Sequence, residues 1–110
     1  MLEDVVRLVQ DHAGPDVVVK FAHMELAAPT ISDGFAACVA AGATDVIAHP
    51  YMLSPGRHAM ADIPRLVGQA AASHPGVSYR VTEPLGVHPL MAEMVLHRCG
   101  LSTATTRQPV

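Results

Sequence analysis

Asp45-Val46-Ile47-Ala48-His49-Pro50-Tyr51 is followed, after Met52 and Leu53, by Ser54-Pro55-Gly56-Arg57-His58-Ala59-Met60-Ala61-Asp62-Ile63-Pro64. The first run is apolar and partly β-branched, and it reads as a buried strand. The residues from Ile63 to Ala72 read as a helix that starts near Ala61. A loop between the carboxyl end of a strand and a helix is where open α/β sheets bind ligands. Gly56 relaxes the backbone there, Arg57 supplies a fixed cation, and His58 supplies a ring nitrogen. That combination suits a polar ligand and a metal ion.

Working outward, the same alternation repeats. Leu2 to His12 has apolar residues at 2, 5, 6, 8 and 9, close to a helical period, and Gly14-Pro15 stops it. Asp16 to Met24 contains a valine run ended by polar residues and predicts a first strand. Thr30 with Asp33 resembles a capping box, and the helix that follows runs to a stop at Gly42. After the second strand, Asp45 to Tyr51, the helix from Ala61 ends at His74-Pro75-Gly76. A third strand is predicted at Val77 to Thr82. His88 is placed to cap a last helix, Leu90 to Arg98, with Pro89 in its first turn. The order α-β-α-β-α-β-α argues for a parallel sheet with helices on its faces. Three strands with four helices is thin for that architecture, as though a first strand were absent.

Composition narrows the class. A chain of 110 residues allows one domain, expected over residues 1–100 with a flexible tail at 101–110. Its formal charge of −3 leaves no basic footprint, so nucleic acid is not an expected partner. No apolar run reaches the roughly 20 residues that span a bilayer, so no membrane partner is expected. Two cysteines, Cys38 and Cys99, are too few for a disulfide framework.

Three loops should open on one sheet edge. They carry His23 and Glu25, then Ser54, Gly56, Arg57 and His58, then Glu83, Gly86 and His88. Each has a plain structural reading beside the chemical one. His23 can close a strand end, Glu25 can start a helix, His58 can be a solvated loop residue, and His88 can be only a cap. His12, His49, His74 and His97 read as structural or solvated, with His49 in a buried strand. Imidazole with carboxylate suits a borderline divalent ion such as iron, cobalt or nickel. The ligands would sit on separate loops, which fits a site that holds a metal loosely and passes it on. No Gly-x-Gly-x-x-Gly or Walker pattern supports a nucleotide binder.

Several segments together resemble the small sirohydrochlorin chelatases. They are Ala22-His23-Met24-Glu25-Leu26-Ala27-Ala28-Pro29-Thr30-Ile31, Cys38-Val39-Ala40-Ala41-Gly42-Ala43 and Pro50-Tyr51-Met52-Leu53-Ser54-Pro55-Gly56-Arg57-His58. Asp62-Ile63-Pro64, Pro75-Gly76-Val77-Ser78-Tyr79 and Glu83-Pro84-Leu85-Gly86-Val87-His88-Pro89-Leu90 extend the likeness. It covers roughly residues 1 to 98 in order, with the plant, algal and cyanobacterial ferrochelatase form nearest and cobalt-inserting bacterial relatives beside it.

The resemblance implies a flavodoxin-like, three-layer αβα unit used as a symmetric dimer or fused repeat. It implies insertion of Fe²⁺ or Co²⁺ into sirohydrochlorin without ATP, with the metal as substrate and no permanently bound cofactor. His58 carries over as a catalytic and metal-binding residue, and Glu25 is the expected second base or ligand. Arg57, Gly56, Ser54, His23, Gly86 and His88 are expected to contact the tetrapyrrole. The family's other histidine follows its first strand in an Asp-His-Gly-Ser-Arg motif that does not occur here. The expectation is therefore a unit lacking its first strand, either incomplete or borrowing one, whose alternative is a non-catalytic tetrapyrrole or metal binder. The cysteine-rich tail of plant members is not matched after Arg98, so an iron–sulfur cluster is not expected. A plant or algal source would place the protein in the chloroplast stroma, and any other source in the cytoplasm.

Overall fold

A computed structural model describes residues 1–24 and 26–102. Four helices and two strands follow in the order α1 (Leu2–Ala13), α2 (Ile31–Ala40), β1 (Asp45–Ala48), α3 (Arg57–Ala72), β2 (Ser78–Val81) and α4 (Pro89–Arg98). The class is mixed α/β with a small parallel sheet, as expected of the chelatase type. β1 and β2 pair in parallel, with Asp45 opposite Ser78, Val46 opposite Tyr79, Ile47 opposite Arg80 and Ala48 opposite Val81. α3 connects them, which is the crossover a parallel pair requires.

Local chemistry explains the boundaries. Thr30 Oγ1 accepts the Asp33 N–H at 3.1 Å while Asp33 Oδ2 accepts the Thr30 N–H at 3.0 Å, so the capping box is fully formed. β1 stops at Ala48 and not at Tyr51, because Pro50 has no N–H for a ladder. β2 is also shorter than Val77 to Thr82, although the Thr82 N–H still donates to the Ala48 carbonyl at 2.9 Å.

α3 begins at Arg57, four residues before the expected start. The Gly56 carbonyl accepts the Met60 N–H at 3.0 Å, which closes the first turn there. Pro64 therefore lies inside the helix and removes the bond the Met60 carbonyl would accept. Burial of Ile63, Val67, Ala70 and Ala71 along one face offsets that loss.

The strand expected at Asp16 to Met24 does not form; only His23 makes an isolated bridge, to Thr30. Parallel pairing needs a neighbouring backbone, and among the described residues the sheet consists of β1 and β2, neither of which pairs with this segment. The Gln10 side chain takes the place of a strand partner. Its Oε1 accepts the Val19 N–H at 2.9 Å, and its Nε2 donates to the carbonyls of Gly14 and Val17.

The core is small. Phe35, Val46, Ile63, Val67, Ala70 and Ala71 are the buried apolar residues, contributed by α2, β1 and α3. Phe35 stacks on His74 at 5.5 Å and meets Tyr79 edge-on at 6.5 Å, so His74 is structural as read. Val46 and Ala48 face this core, while Ile47 on the opposite sheet face is half exposed. α1 and α4 bury no residue among those described.

Candidate functional site

The carboxyl edge of the β1–β2 pair carries most of the candidate residues. Two connections leave it, residues 49–56 into α3 and residues 82–88 into α4. The first ends at Gly56, which caps α3 with φ −72°, a conformation open to any residue. The relaxed backbone expected at Gly56 is therefore absent, but nothing lies within 4 Å of where a Cβ would stand. Its small size leaves room at the helix start.

Arg57 and His58 occupy the first turn of α3 and are exposed. They are helical and not in a loop, which corrects the expected setting of His58. No side chain caps this helix, so its first backbone N–H groups have no side-chain partner. The ion pairs among the described residues are Arg7–Asp4 and Arg65–Asp62, so no described carboxylate pairs with Arg57. A guanidinium and uncapped N–H groups at the positive end of a helix form one positive corner, with the His58 imidazole beside it. Such a corner attracts carboxylates by charge-assisted hydrogen bonds. Ser54 lies exposed just before it.

The second connection is more ordered. Gly86 has φ +54°, the left-handed region that glycine enters at little cost. His88 caps α4, its Nδ1 accepting the Leu90 N–H at 3.1 Å. Both the capping and the glycine turn follow the sequence reading.

His23 stands apart. Its N–H donates to the Pro29 carbonyl at 2.7 Å, and its half-buried ring meets Phe21 edge-on at 5.8 Å. Glu25 lies outside the described residues, as do residues 103–110 of the expected tail. Among the described residues no three His, Cys, Asp or Glu side chains are grouped to hold a metal ion. His58, His23 and His88 are thus not gathered into a closed metal cage. Cys38 is half-buried against the core, and burial pushes its thiol above the ordinary range despite the opposing pull of Lys20.

One residue escaped the sequence reading. His49 is exposed and lies just past β1, where a buried strand histidine was expected. Its Nδ1 is 2.8 Å from Thr82 Oγ1, across the two strand ends. With His88 it lines a cavity of about 290 Å³ beside Pro84, Leu85, Leu90 and Met91. The available signal was Pro50, which ends the strand and turns His49 out to the edge.

Comparison with known proteins places these features in a family. The CbiX family model matches residues 1–100. The chain is 45% identical over 98 residues to the chloroplastic sirohydrochlorin ferrochelatase of Arabidopsis thaliana, covering 89% of this chain and 43% of that protein. It is 36% identical over 81 residues to the sirohydrochlorin ferrochelatase of Bacillus subtilis, covering 74% and 31%. It is 32% identical over 92 residues to the sirohydrochlorin cobaltochelatase of Methanococcoides burtonii, covering 76% and 70%. The chain thus spans less than half the length of the plant and Bacillus relatives, and most of the archaeal one. With a match along nearly its whole length, the chain belongs to the CbiX family.

Proposed function

We propose that this chain inserts Fe²⁺ or Co²⁺ into sirohydrochlorin, releasing two protons from the ring nitrogens. The observation that carries the proposal is the exposed Arg57–His58 pair on the uncapped start of α3, at the carboxyl edge of the sheet. Relatives named for sirohydrochlorin iron and cobalt insertion support the same reading.

The chemical task is to strip water from the metal and to remove two protons. His58 has an exposed imidazole that binds the incoming metal or accepts a pyrrole proton. Arg57 and the free N–H groups of the first turn hold carboxylates at the tetrapyrrole rim. Gly56 leaves space for that rim to approach. Glu25 is assigned the second base on resemblance alone. Ser54, His23, Gly86 and His88 are assigned contacts to the macrocycle. An open site of this kind, without a closed ligand cage, favours release of the metal into the ring over its retention.

Residues 1–100 form the working unit in this proposal, and two copies assemble. Exposed apolar side chains support assembly: Leu8 and Val9 on α1, Ile47 on the open sheet face, and Val95 on α4. A chloroplast location is proposed for a plant or algal source, after the Arabidopsis relative's name.

The test is anaerobic incubation of the chain with sirohydrochlorin and Fe²⁺ or Co²⁺, followed by absorbance. Metal-dependent loss of the free-base spectrum, faster than the uncatalysed reaction, is the expected result. Tetrapyrrole binding with no acceleration for either metal would instead identify a non-catalytic binder.

A further inference from the structure

The connection into α3 carries a motif that chelation does not account for. Ser54 is the one serine or threonine of the chain followed by proline, and Arg57 stands three residues beyond it. Ser54, Gly56 and Arg57 are exposed, and Pro55 is half-buried. Among the described residues, none of the turn, loop or cap backbone hydrogen bonds involves residues 53–55. A proline disfavours the helical region for the residue before it, so Ser54 is held toward an extended backbone. An extended segment that bears a hydroxyl and has no backbone bonds to break suits the cleft of a protein kinase. The proline has no N–H to leave unpaired there, and the cation three residues on gives the cleft a charge to read.

Arg57 lies in the first turn of α3, so a kinase cleft needs that turn to open. Two features favour opening. No residue of the helix before Ile63 is buried, and Pro64 takes away the bond to the Met60 carbonyl. The turns from Arg57 to Asp62 are therefore held less firmly than the turns after them, and open at lower cost. We propose that Ser54 is a phosphorylation site for a proline-directed serine kinase, and that its phosphate closes the Arg57 corner to carboxylates. In the step, the γ-phosphoryl group of a nucleoside triphosphate moves to Ser54 Oγ. The bond to the β-phosphate oxygen breaks, the nucleoside diphosphate leaves with the electron pair, and the hydroxyl proton passes to the kinase's base. The product carries about two negative charges at neutral pH, close in the chain to Arg57, which no described carboxylate pairs. It occupies that guanidinium and repels the carboxylates of an incoming tetrapyrrole. This closure rests on the chelatase reading; the modification itself does not.

The full chain is incubated with Mg²⁺–ATP and a purified proline-directed serine/threonine kinase, and the product is mapped by mass spectrometry. Phosphate on Ser54 is expected. Pro55→Ala should lower the rate of incorporation about tenfold or more, and Arg57→Gln by about a few fold. Hydrogen exchange at amides 60–63 should be about tenfold or more faster than at amides 67–72. Sirohydrochlorin, titrated by fluorescence, should bind the phosphorylated chain about tenfold or more weakly than the unmodified chain. No phosphate on Ser54, equal incorporation in Pro55→Ala, or equal exchange along α3 would each overturn the site. Unchanged binding and chelation after phosphorylation would overturn the closure. A chain that takes phosphate on Ser54 but, unmodified, neither binds nor converts sirohydrochlorin would refute the chelatase reading and the closure with it, while the modification site stands.

Discussion

His49 Nδ1 and Thr82 Oγ1 share a hydrogen bond at 2.8 Å, joining residues immediately beyond the paired ends of β1 and β2. The bond ties two loops where the parallel ladder finishes and both connections leave for their helices. Thr82→Val should therefore cost about 1 kcal/mol, a typical net hydrogen bond, and Thr82→Ser much less. A double-mutant cycle with His49→Ala, read from urea midpoints, should return a coupling of similar size. A coupling near zero would show that the two loop starts are not tied in solution.

The capping box at α2 makes a second prediction. Thr30→Ala and Asp33→Ala should each cost about 1 kcal/mol, and the double variant less than their sum, since each removes part of one reciprocal pair. Chemical denaturation of the three variants measures this directly.

The core is narrow enough that one residue dominates it. Phe35 is 4% exposed and touches both His74 and Tyr79, so Phe35→Ala should cost about 3–5 kcal/mol. That is much of a small domain's stability. Leu8 is 59% exposed, and Leu8→Ala should change monomer stability by no more than about 0.5 kcal/mol. A larger, concentration-dependent effect at Leu8 would locate the proposed interface between copies on α1.

Cys38 sets a pH dependence. Burial raises its pKa in the fold, so the folded state holds the thiol proton more tightly than the unfolded chain. The associated stability is fully present below about pH 9 and is lost as pH rises through the folded value. Thermal midpoints between pH 8 and 11 should fall more steeply for the native chain than for Cys38→Ala. Parallel curves would exclude the thiol as the cause.

His58→Ala should lower the chelation rate at least about a hundredfold, the scale of a lost proton-transfer group, while tetrapyrrole binding persists. Arg57→Gln should mainly weaken tetrapyrrole binding. Stopped-flow absorbance with fluorescence titration separates the two effects.

Much of this molecule follows from short-range chemistry, and that part is legible in the chain. Thr30 and Asp33 announce a helix start because their side chains satisfy each other's backbone N–H groups. Pro89 after His88 announces another. Gly42, Gly76 and Gly100 take positive φ beyond helices because they have no Cβ. The segments around Arg57-His58 and Gly86-His88 carried the family likeness in the same way.

Long-range pairing decided the rest. The valines at 17, 18 and 19 have strand propensity, but a strand exists only where another backbone accepts its bonds, and the Gln10 side chain serves that segment instead. The sequence reading starts α3 near Ala61; in the fold the helix begins at Arg57, with Ile63, Val67, Ala70 and Ala71 buried along it, and His58 lies in its first turn. His49 looked like a buried strand residue until the register brought Thr82 opposite. The sequence by itself determined the α/β class, the caps and the residues able to do chemistry, because those depend on neighbours a few positions away. Only the tertiary structure decided which strands pair and that His49 meets Thr82 at the sheet edge, because both depend on partners brought from distant parts of the chain.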